Sequence, residues 1–248
     1  MLYRLEKLIG MSIAATDGTL GEIKDVYFDD RRWAVRYLVV ETGDWLRGRK
    51  VLISPISVAS IDWAGQSVRV RLTMQQVKGS PDIDTAMPVS RQHELNFLDY
   101  YGYPDYWTGT LLWGATPLPV PTHTVSSDAI VHPGQTPMDK HLHGLKEVQG
   151  YSLQATDAAI GSLEDFLVDD GSWALRYVMV DTREWWIGKH VVIPPQWIHG
   201  LDWEKKVVYV DVSRGAVKQA PEFDPALALT RDYESALFGH YERPAYWH

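Results

Sequence analysis

The sequence predicts a mainly β fold with short helices, an α+β protein in which two small antiparallel barrels follow one another along the chain. Three observations predict it: the chain repeats itself, each copy reads as a series of short strands, and each copy closes with a helical pattern. The composition is typical of a globular protein, since 45% of the 248 residues are hydrophobic and 23% are charged. No apolar run approaches the roughly 18–20 residues that span a bilayer.

The repeat is the strongest signal, because a shift of 140 residues places the chain on itself without a gap. Identical residues that then coincide include Gly10 and Gly150, Trp33 and Trp173, Asp62 and Asp202, and Trp107 and Trp247. Roughly a third of the aligned positions are identical, far above chance for a fixed register. We therefore predict a barrel with a helical extension over residues 1–107 (copy one) and a second over 141–248 (copy two). Residues 108–140 contain five prolines and read as a linker.

Each copy shows the same succession of local patterns. In copy one, stretches rich in β-branched and aromatic residues predict strands at 20–28, 33–42, 51–53, 58–63 and 68–72. Thr73 followed three residues later by Gln76 fits a capping box and predicts a short helix. A serine N-cap and helical spacing predict a second helix from Ser90 to Tyr101, matched in copy two by Thr230 to Tyr241.

The first hairpin of each copy yields a predicted pair of charges. If Phe28 faces Trp33 across the turn, counting back places Asp25 opposite Arg36. The same count in copy two places Asp165 opposite Arg176. Such cross-strand pairs contribute about 0.2–1 kcal/mol each, so we expect structural ion pairs that clamp the sheet.

Copy two contains the motifs GYSLQATD at 150–157, DFLVDD at 165–170, WALRY at 173–177 and APEFDP at 220–225. These motifs resemble those of the PRC-barrel family, which is named for the cytoplasmic domain of the photosynthetic reaction centre H subunit. Copy one departs from the pattern at Gly43 and Leu46, where copy two has Arg183 and Trp186. The resemblance implies a six-stranded β-barrel in each copy and its use as a protein-interaction module.

No residue pattern points to catalysis. The chain has no cysteine, which excludes thiolate nucleophiles and thiolate metal sites. Asp29 and Asp30 stand where a tight turn favours aspartate. His141 and His143 lie two residues apart, but no histidine or carboxylate spacing matches a recognised metal site. We therefore expect no enzymatic activity, no catalytic residue, no metal and no cofactor.

Aromatic residues are the candidates for contact with a partner. Tryptophans in strand-to-strand loops either mark an interface or cover a barrel end. Aromatic tails at the close of each copy either contribute to contact or fold back on a barrel as a plug, and the rarity of exposed apolar patches favours the plug. The candidates are Trp45, Trp185 and Trp186 in the loops, and Tyr106, Trp107, Tyr246 and Trp247 in the tails.

These features favour a non-catalytic cytoplasmic adaptor or scaffold that binds an unidentified protein partner. The net charge of −8 counts against DNA and disfavours RNA or the ribosome, because phosphate binding needs a basic surface. The alternative is a small-ligand binder or an enzyme that uses a cleft between the two barrels. A role beside the reaction centre rests on fold analogy alone. Peripheral contact with a membrane complex and a homodimer are both left open.

Overall fold

The computed structural model describes residues 1–81, 89, 91–121, 141–182 and 190–247. The chain forms two compact units. The amino-terminal unit consists of Glu6–Lys146 and Gly171–Ala174. The carboxy-terminal unit consists of Met1–Leu5, Glu147–Asp170 and Leu175–His248. Each unit therefore combines segments from both sequence copies.

The described residues form short strands and a few short helices, as the sequence predicts. The strands are β1 (Leu2–Arg4), β2 (Ser12–Ala14), β3 (Thr19–Asp29), β4 (Ala34–Thr42), β5 (Lys50–Ile53), β6 (Val58–Asp62), β7 (Ser67–Val70), β8 (Leu142–Gly144), β9 (Ser152–Gln154), β10 (Ala159–Asp169), β11 (Leu175–Asp181), β12 (His190–Ile193), β13 (Ile198–Asp202) and β14 (Val207–Val210). The α-helices are α1 (Met74–Lys78), α2 (Arg91–Tyr101), α3 (Leu145–Val148), α4 (Arg214–Gln219) and α5 (Arg231–His240). Single 3-10 turns occupy Leu5–Leu8, Asp44–Leu46, Pro55–Ser57 and Pro195–Trp197.

The two sheets have the same topology. Among the described residues, the strand order is β5-β4-β3-β2-β7-β6 in the amino-terminal unit and β12-β11-β10-β9-β14-β13 in the carboxy-terminal unit. Pairing is antiparallel except between β2 and β7 and between β9 and β14. Each sheet thus has the six strands expected of one copy, and a seventh strand joins it from the other copy. The hydrogen-bonded path as described ends at β5 and β6, or at β12 and β13, and is not closed into a barrel.

The seventh strands are exchanged reciprocally between the copies. β1, at the start of copy one, pairs with β10 and places Tyr3 opposite Val168. β8, at the start of copy two, pairs with β3 and places His143 opposite Phe28. The two sets of partners correspond at the 140-residue shift. Neither sheet is therefore complete without residues from the other sequence copy.

The predicted register of the first hairpin is wrong. Trp33 lies in the turn with a φ of 52° and not in the strand, so β4 begins one residue later than predicted. An irregularity between Tyr27 and Phe28 shifts the register further. As a result, Asp25 faces Val39 and not Arg36.

The hairpin of copy two departs from the prediction in the same way. Trp173 has a φ of 62°, and β11 begins at Leu175. Asp165 faces Met179 and not Arg176. Neither predicted aspartate–arginine pair is therefore a pair of cross-strand neighbours.

Both faces of β4 are buried, because one face packs inside the curved sheet and α2 covers the opposite face. Tyr37, Val39 and Leu52 pack against Phe97 and Leu98 of α2. Burial of such a side chain contributes about 1.5–3 kcal/mol. The helical extension is therefore part of the core of its unit.

The predicted helix starts hold where the structure describes them. The capping box is confirmed, since Thr73 accepts from the Gln76 backbone N–H at 3.2 Å and its own N–H donates to Gln76 Oε1 at 2.8 Å. Thr230 caps α5 by accepting from the Tyr233 N–H at 3.2 Å. Ser90, the predicted cap of α2, lies outside the described residues.

The first part of the predicted linker packs on the amino-terminal unit. Trp113 is 4% exposed, and its indole N–H donates to the carbonyl oxygen of Ser172 at 2.8 Å. Residues 122–140 lie outside the described residues. In the part of the chain that the structure describes, no helix is long and apolar enough to cross a membrane.

Candidate functional site

A β-bulge brings an arginine into the interior of the amino-terminal unit. Arg36 is the extra residue between the pairs Tyr27–Tyr37 and Phe28–Val35. A bulge re-aims the side chain that it carries. Arg36 is consequently only 1% exposed, although it lies in a strand next to a surface turn.

Arg36 is held by one carboxylate and two aromatic rings. Its Nη2 lies 3.2 Å from Asp29 Oδ2, in place of the predicted Asp25. Its guanidinium carbon lies 3.8 Å from the ring centroid of Tyr106 and 4.7 Å from that of Trp113. Such cation–π contacts gain strength when desolvated. Burial lowers the pKa of Arg36, and the neighbouring Tyr106 and Asp29 oppose that shift.

The other members of the predicted ion pairs have different partners as well. Arg176 lies with its guanidinium carbon 4.6 Å from the ring centroid of Tyr246. Asp165, which is 0% exposed, accepts from Arg4 Nε at 3.1 Å. Asp25 accepts from the backbone N–H of Lys146 at 3.3 Å. The charged groups of these hairpins thus contact a helix end, an aromatic tail and a strand from the other copy, and not each other.

A buried glutamate organises the space below Arg36. Glu94 of α2 is 0% exposed. Its Oε1 accepts from Tyr37 Oη at 3.0 Å and from Tyr106 Oη at 2.6 Å. Its Oε2 lies 3.0 Å from Arg91 Nη1 and 2.8 Å from His141 Nε2. These five side chains form what we call the Glu94 cluster.

The environment of the Glu94 cluster keeps its tyrosines protonated. Burial raises the pKa of both Tyr37 and Tyr106 well above the usual range, and the charge of Glu94 raises each further. A tyrosinate beside a buried carboxylate would be a second unscreened negative charge. Both hydroxyls therefore serve as hydrogen-bond donors to Glu94.

The carboxy-terminal unit contains an equivalent arrangement, which we call the Glu234 cluster. Glu234 Oε1 accepts from Tyr177 Oη at 2.7 Å and from Tyr246 Oη at 2.8 Å. Glu234 Oε2 lies 2.9 Å from Arg231 Nη1. The guanidinium carbon of Arg231 lies 4.1 Å from the ring centroid of Trp247. Burial raises the pKa of Tyr177 strongly and that of Tyr246 as well.

At the 140-residue shift the glutamate, the arginine and the two tyrosines of the Glu94 cluster correspond to those of the Glu234 cluster, whereas His141 has no counterpart there. Each joins a strand tyrosine and a bulge arginine to the arginine and glutamate of the following helix and to the closing aromatic tail. Each carboxylate accepts from two tyrosine hydroxyls and lies at ion-pair distance from an arginine. What the arrangement does chemically is to fasten helix and tail to the sheet.

The family model of the PRC-barrel domain matches residues 1–72 and 141–217, which together make up more than half of the chain. The chain belongs to the PRC-barrel family. No curated protein matches it. The helices α2 and α5 and the aromatic tails lie outside the matched residues, so each cluster links a PRC-barrel strand to an extension beyond the family's domain.

The tail aromatics of the PRC-barrel copies lie in or beside the clusters. Tyr106 is 3% exposed, so its prediction as a contact residue is corrected to a buried member of the Glu94 cluster. Tyr246, Trp107 and Trp247 are partly buried. Trp107 lies 3.9 Å from the guanidinium carbon of Arg91, as measured from its ring centroid. The tails therefore fold back, as the plug alternative expects.

The loop tryptophans have different outcomes in the two PRC-barrel copies. Trp45 is half-buried in the turn Asp44–Leu46, and its indole N–H donates to the carbonyl oxygen of Leu20 at 2.8 Å. Its ring is thus anchored at one end and partly open to solvent. Trp185 and Trp186 lie outside the described residues.

Sequence reasoning missed the glutamates at the centre of both clusters. A signal was present, because Arg91 and Glu94 coincide with Arg231 and Glu234 at the 140-residue shift. Polar residues that stay identical between two copies on a helix with an otherwise changed sequence indicate a shared buried contact. Within the described residues, no three histidine, aspartate or glutamate side chains are grouped so that they could hold a metal ion.

Proposed function

We propose that this chain is a non-catalytic, cytoplasmic adaptor that binds another protein through strand edges and a loop tryptophan. The observation that carries the proposal is the pairing of β8 with β3 and of β1 with β10. Each PRC-barrel sheet accepts a short extended segment from elsewhere in the sequence by backbone hydrogen bonds. Addition of a strand to a sheet edge is a recurring mode of peptide recognition.

The shared polar residues support a role without catalysis. Residues common to two copies are where a common reaction would be carried out. Here the shared glutamates, their arginines and their tyrosines form the Glu94 and Glu234 clusters, in which carboxylates and hydroxyls satisfy one another. In the amino-terminal unit both the glutamate and its tyrosine partners are buried away from solvent.

Trp45 supports the choice of one contact point for the partner. Its ring is partly exposed, and its indole N–H is already satisfied. A tryptophan fixed in this way covers a large apolar area at a small entropic cost on binding, as residues that dominate interfaces do. The turn that carries it leads directly into β5, the last strand of the sheet path on that side.

We also propose that each sheet closes into a barrel between its two end strands, in which case β5 and β6 have no free edge and the partner contacts the turn that carries Trp45. Membership of the PRC-barrel family supports closure, and so does the short connection Pro55–Ser57 between β5 and β6. The absence of cysteine is compatible with the reducing cytoplasm.

The test is affinity capture from a lysate of the native host, with the whole chain as bait, followed by identification of captured proteins and measurement of Kd with the purified partner. We expect Trp45→Ala to weaken the purified partner's binding at least about tenfold, since truncation of a central interface tryptophan costs about 2 kcal/mol or more. Leu227→Ala is the matched control, because Leu227 is 66% exposed and lies in the other unit. Circular dichroism verifies that both variants fold.

Two results would contradict the proposal. One is the absence of any protein captured beyond those on an unrelated bait. The other is a small molecule that raises the melting temperature of the chain and is turned over by it, which would favour the ligand-binding or enzymatic alternative.

A further inference from the structure

The exchanged strands bear on how the two copies of the sequence stay together. We propose that copies one and two bind each other without the linker, through two acceptor edges, each of which takes the first strand of the opposite copy. The acceptor edge of β3 is Tyr27–Asp29, and that of β10 is Leu167–Asp169. This inference concerns contact between the two copies and does not depend on an outside partner.

Backbone pairing continues past the three residues of each exchanged strand. At the β3 edge, the N–H of Asp30 donates to the carbonyl oxygen of His141 at 3.1 Å. At the β10 edge, the N–H of Asp170 donates to the carbonyl oxygen of Met1 at 3.1 Å. The same hydrogen bond at both edges extends the docked segment to four residues.

Each acceptor edge is acidic, and each docked segment brings a cation or an imidazole to it. At the β3 edge, His143 Nε2 lies 3.4 Å from Asp30 Oδ2, and His141 bonds to Glu94. Both histidines are at most 3% exposed, so their rings are enclosed by the amino-terminal unit.

The β10 edge uses different cations at different positions. Arg4 Nε lies 3.1 Å from Asp165 Oδ2, and Arg4 Nη2 lies 3.3 Å from Glu164 Oε1. The amino-terminal ammonium of Met1 lies 2.7 Å from Asp170 Oδ1. The positions equivalent to Met1 and Arg4 in the other docked segment are His141 and Gly144.

These differences match each docked segment to one edge. A Cβ added at Gly144 would lie 2.6 Å from Asp25 Oδ2 and 3.2 Å from Tyr27 Cε1, so a larger residue at that position requires these two side chains to shift. At the β10 edge the same position is Arg4, which compensates the buried charge of Asp165. A segment placed on the wrong edge would displace the side chains of Asp25 and Tyr27 or leave Asp165 without Arg4, and both discriminate against it.

The test cuts the intact protein in its linker. A site for a sequence-specific protease is placed within residues 122–140 of the full chain, and the folded protein is digested. We expect the two fragments to co-elute and co-sediment as one species with the mass of the uncut chain, 28.2 kDa. They should separate only in denaturant.

Substitutions in the docked segments then identify what holds the fragments together. Tyr3→Pro and His143→Pro each remove a backbone N–H from the centre of a docked strand, while Tyr3→Ala and His143→Ala keep that N–H. We expect each proline to raise the Kd between the fragments about tenfold more than the matching alanine does. This factor corresponds to the loss of one backbone hydrogen bond, which leaves a buried carbonyl oxygen of the receiving strand without its donor.

Hydrogen exchange on the cut, unsubstituted protein provides a measurement that does not depend on the variants folding. Amides within Leu2–Arg4 and Leu142–Gly144 should stay as protected after digestion as before. Separation of the fragments without denaturant, loss of this protection on cutting, or equal effects of folded proline and alanine variants would each overturn the proposal.

Discussion

Replacement of the central glutamates by glutamine should destabilise the two units by different amounts. In Glu94→Gln, Arg91, with only 9% of its side chain exposed, loses its counter-charge. Breaking a buried ion pair on one side costs about 3–5 kcal/mol, and we expect a loss in that range. In Glu234→Gln, Arg231 has 56% of its side chain exposed and can turn to solvent. The loss there should be about 1–2 kcal/mol, from weaker hydrogen bonds to the two tyrosines.

Urea unfolding followed by tryptophan fluorescence and far-ultraviolet circular dichroism measures both losses in the same chain. The expected difference between the two variants is about 2 kcal/mol, which comes from the exposure of one arginine. The reasoning fails if Glu234→Gln costs as much as Glu94→Gln. It also fails if Glu94→Gln lies within about 0.5 kcal/mol of the unsubstituted protein, the range of an ordinary surface change.

Three further predictions follow from other parts of the molecule. The buried tyrosines of both clusters have pKa values raised above the unfolded value of about 10, so the stability they contribute is fully present below that pH and is lost as pH rises beyond it. The urea midpoint should therefore fall between about pH 10 and 11.5, together with a rise in absorbance at 295 nm. A midpoint that stays constant over this range would contradict the prediction. Gly21→Ala places a Cβ 2.0 Å from the carbonyl oxygen of Glu41 at a φ of +151°, so it should lower the free energy of unfolding by about 3 kcal/mol or more. The control Gly239→Ala, in an open helical position, should raise it by about 0.5–1 kcal/mol in thermal unfolding. Equal effects of the two substitutions would refute the close contact at Gly21. Arg4→Met should lower the free energy of urea unfolding by about 3 kcal/mol, because Asp165 stays buried without the Arg4 cation. Arg4→Met combined with Asp165→Asn should recover part of that loss. A purely steric role for Arg4 would give no such recovery.

Local signals in the sequence were sufficient for local structure. The capping box at Thr73 and Gln76 depends on residues three apart and formed as predicted. The register of the hairpin differs from the predicted one, because Trp33 adopts a left-handed backbone conformation that is unusual for a bulky residue and lengthens the turn. That one conformation and the bulge at Arg36 changed every predicted cross-strand neighbour up to Asp25.

The exchange of first strands could not be predicted, because a repeat aligns each strand with its counterpart and says nothing about which sheet it joins. Pairing of β8 with the first sheet and pairing with the second satisfy the same hydrophobic pattern. Glu94 was missed for a related reason: a single glutamate on a predicted helix is ordinary, and only its comparison with Glu234 marks it as part of a shared contact.

The reciprocal docking of β1 and β8 determines which pairs of residues have to be compatible with each other. Arg4 and Gly144 occupy equivalent positions in the two copies, but Arg4 contacts Asp165 and Gly144 lies beside Asp25. A substitution at residue 4 therefore acts on Asp165, more than half the chain away in sequence. The effect of changing either docked strand has to be measured in the copy that receives the strand and not only in the copy that contains it.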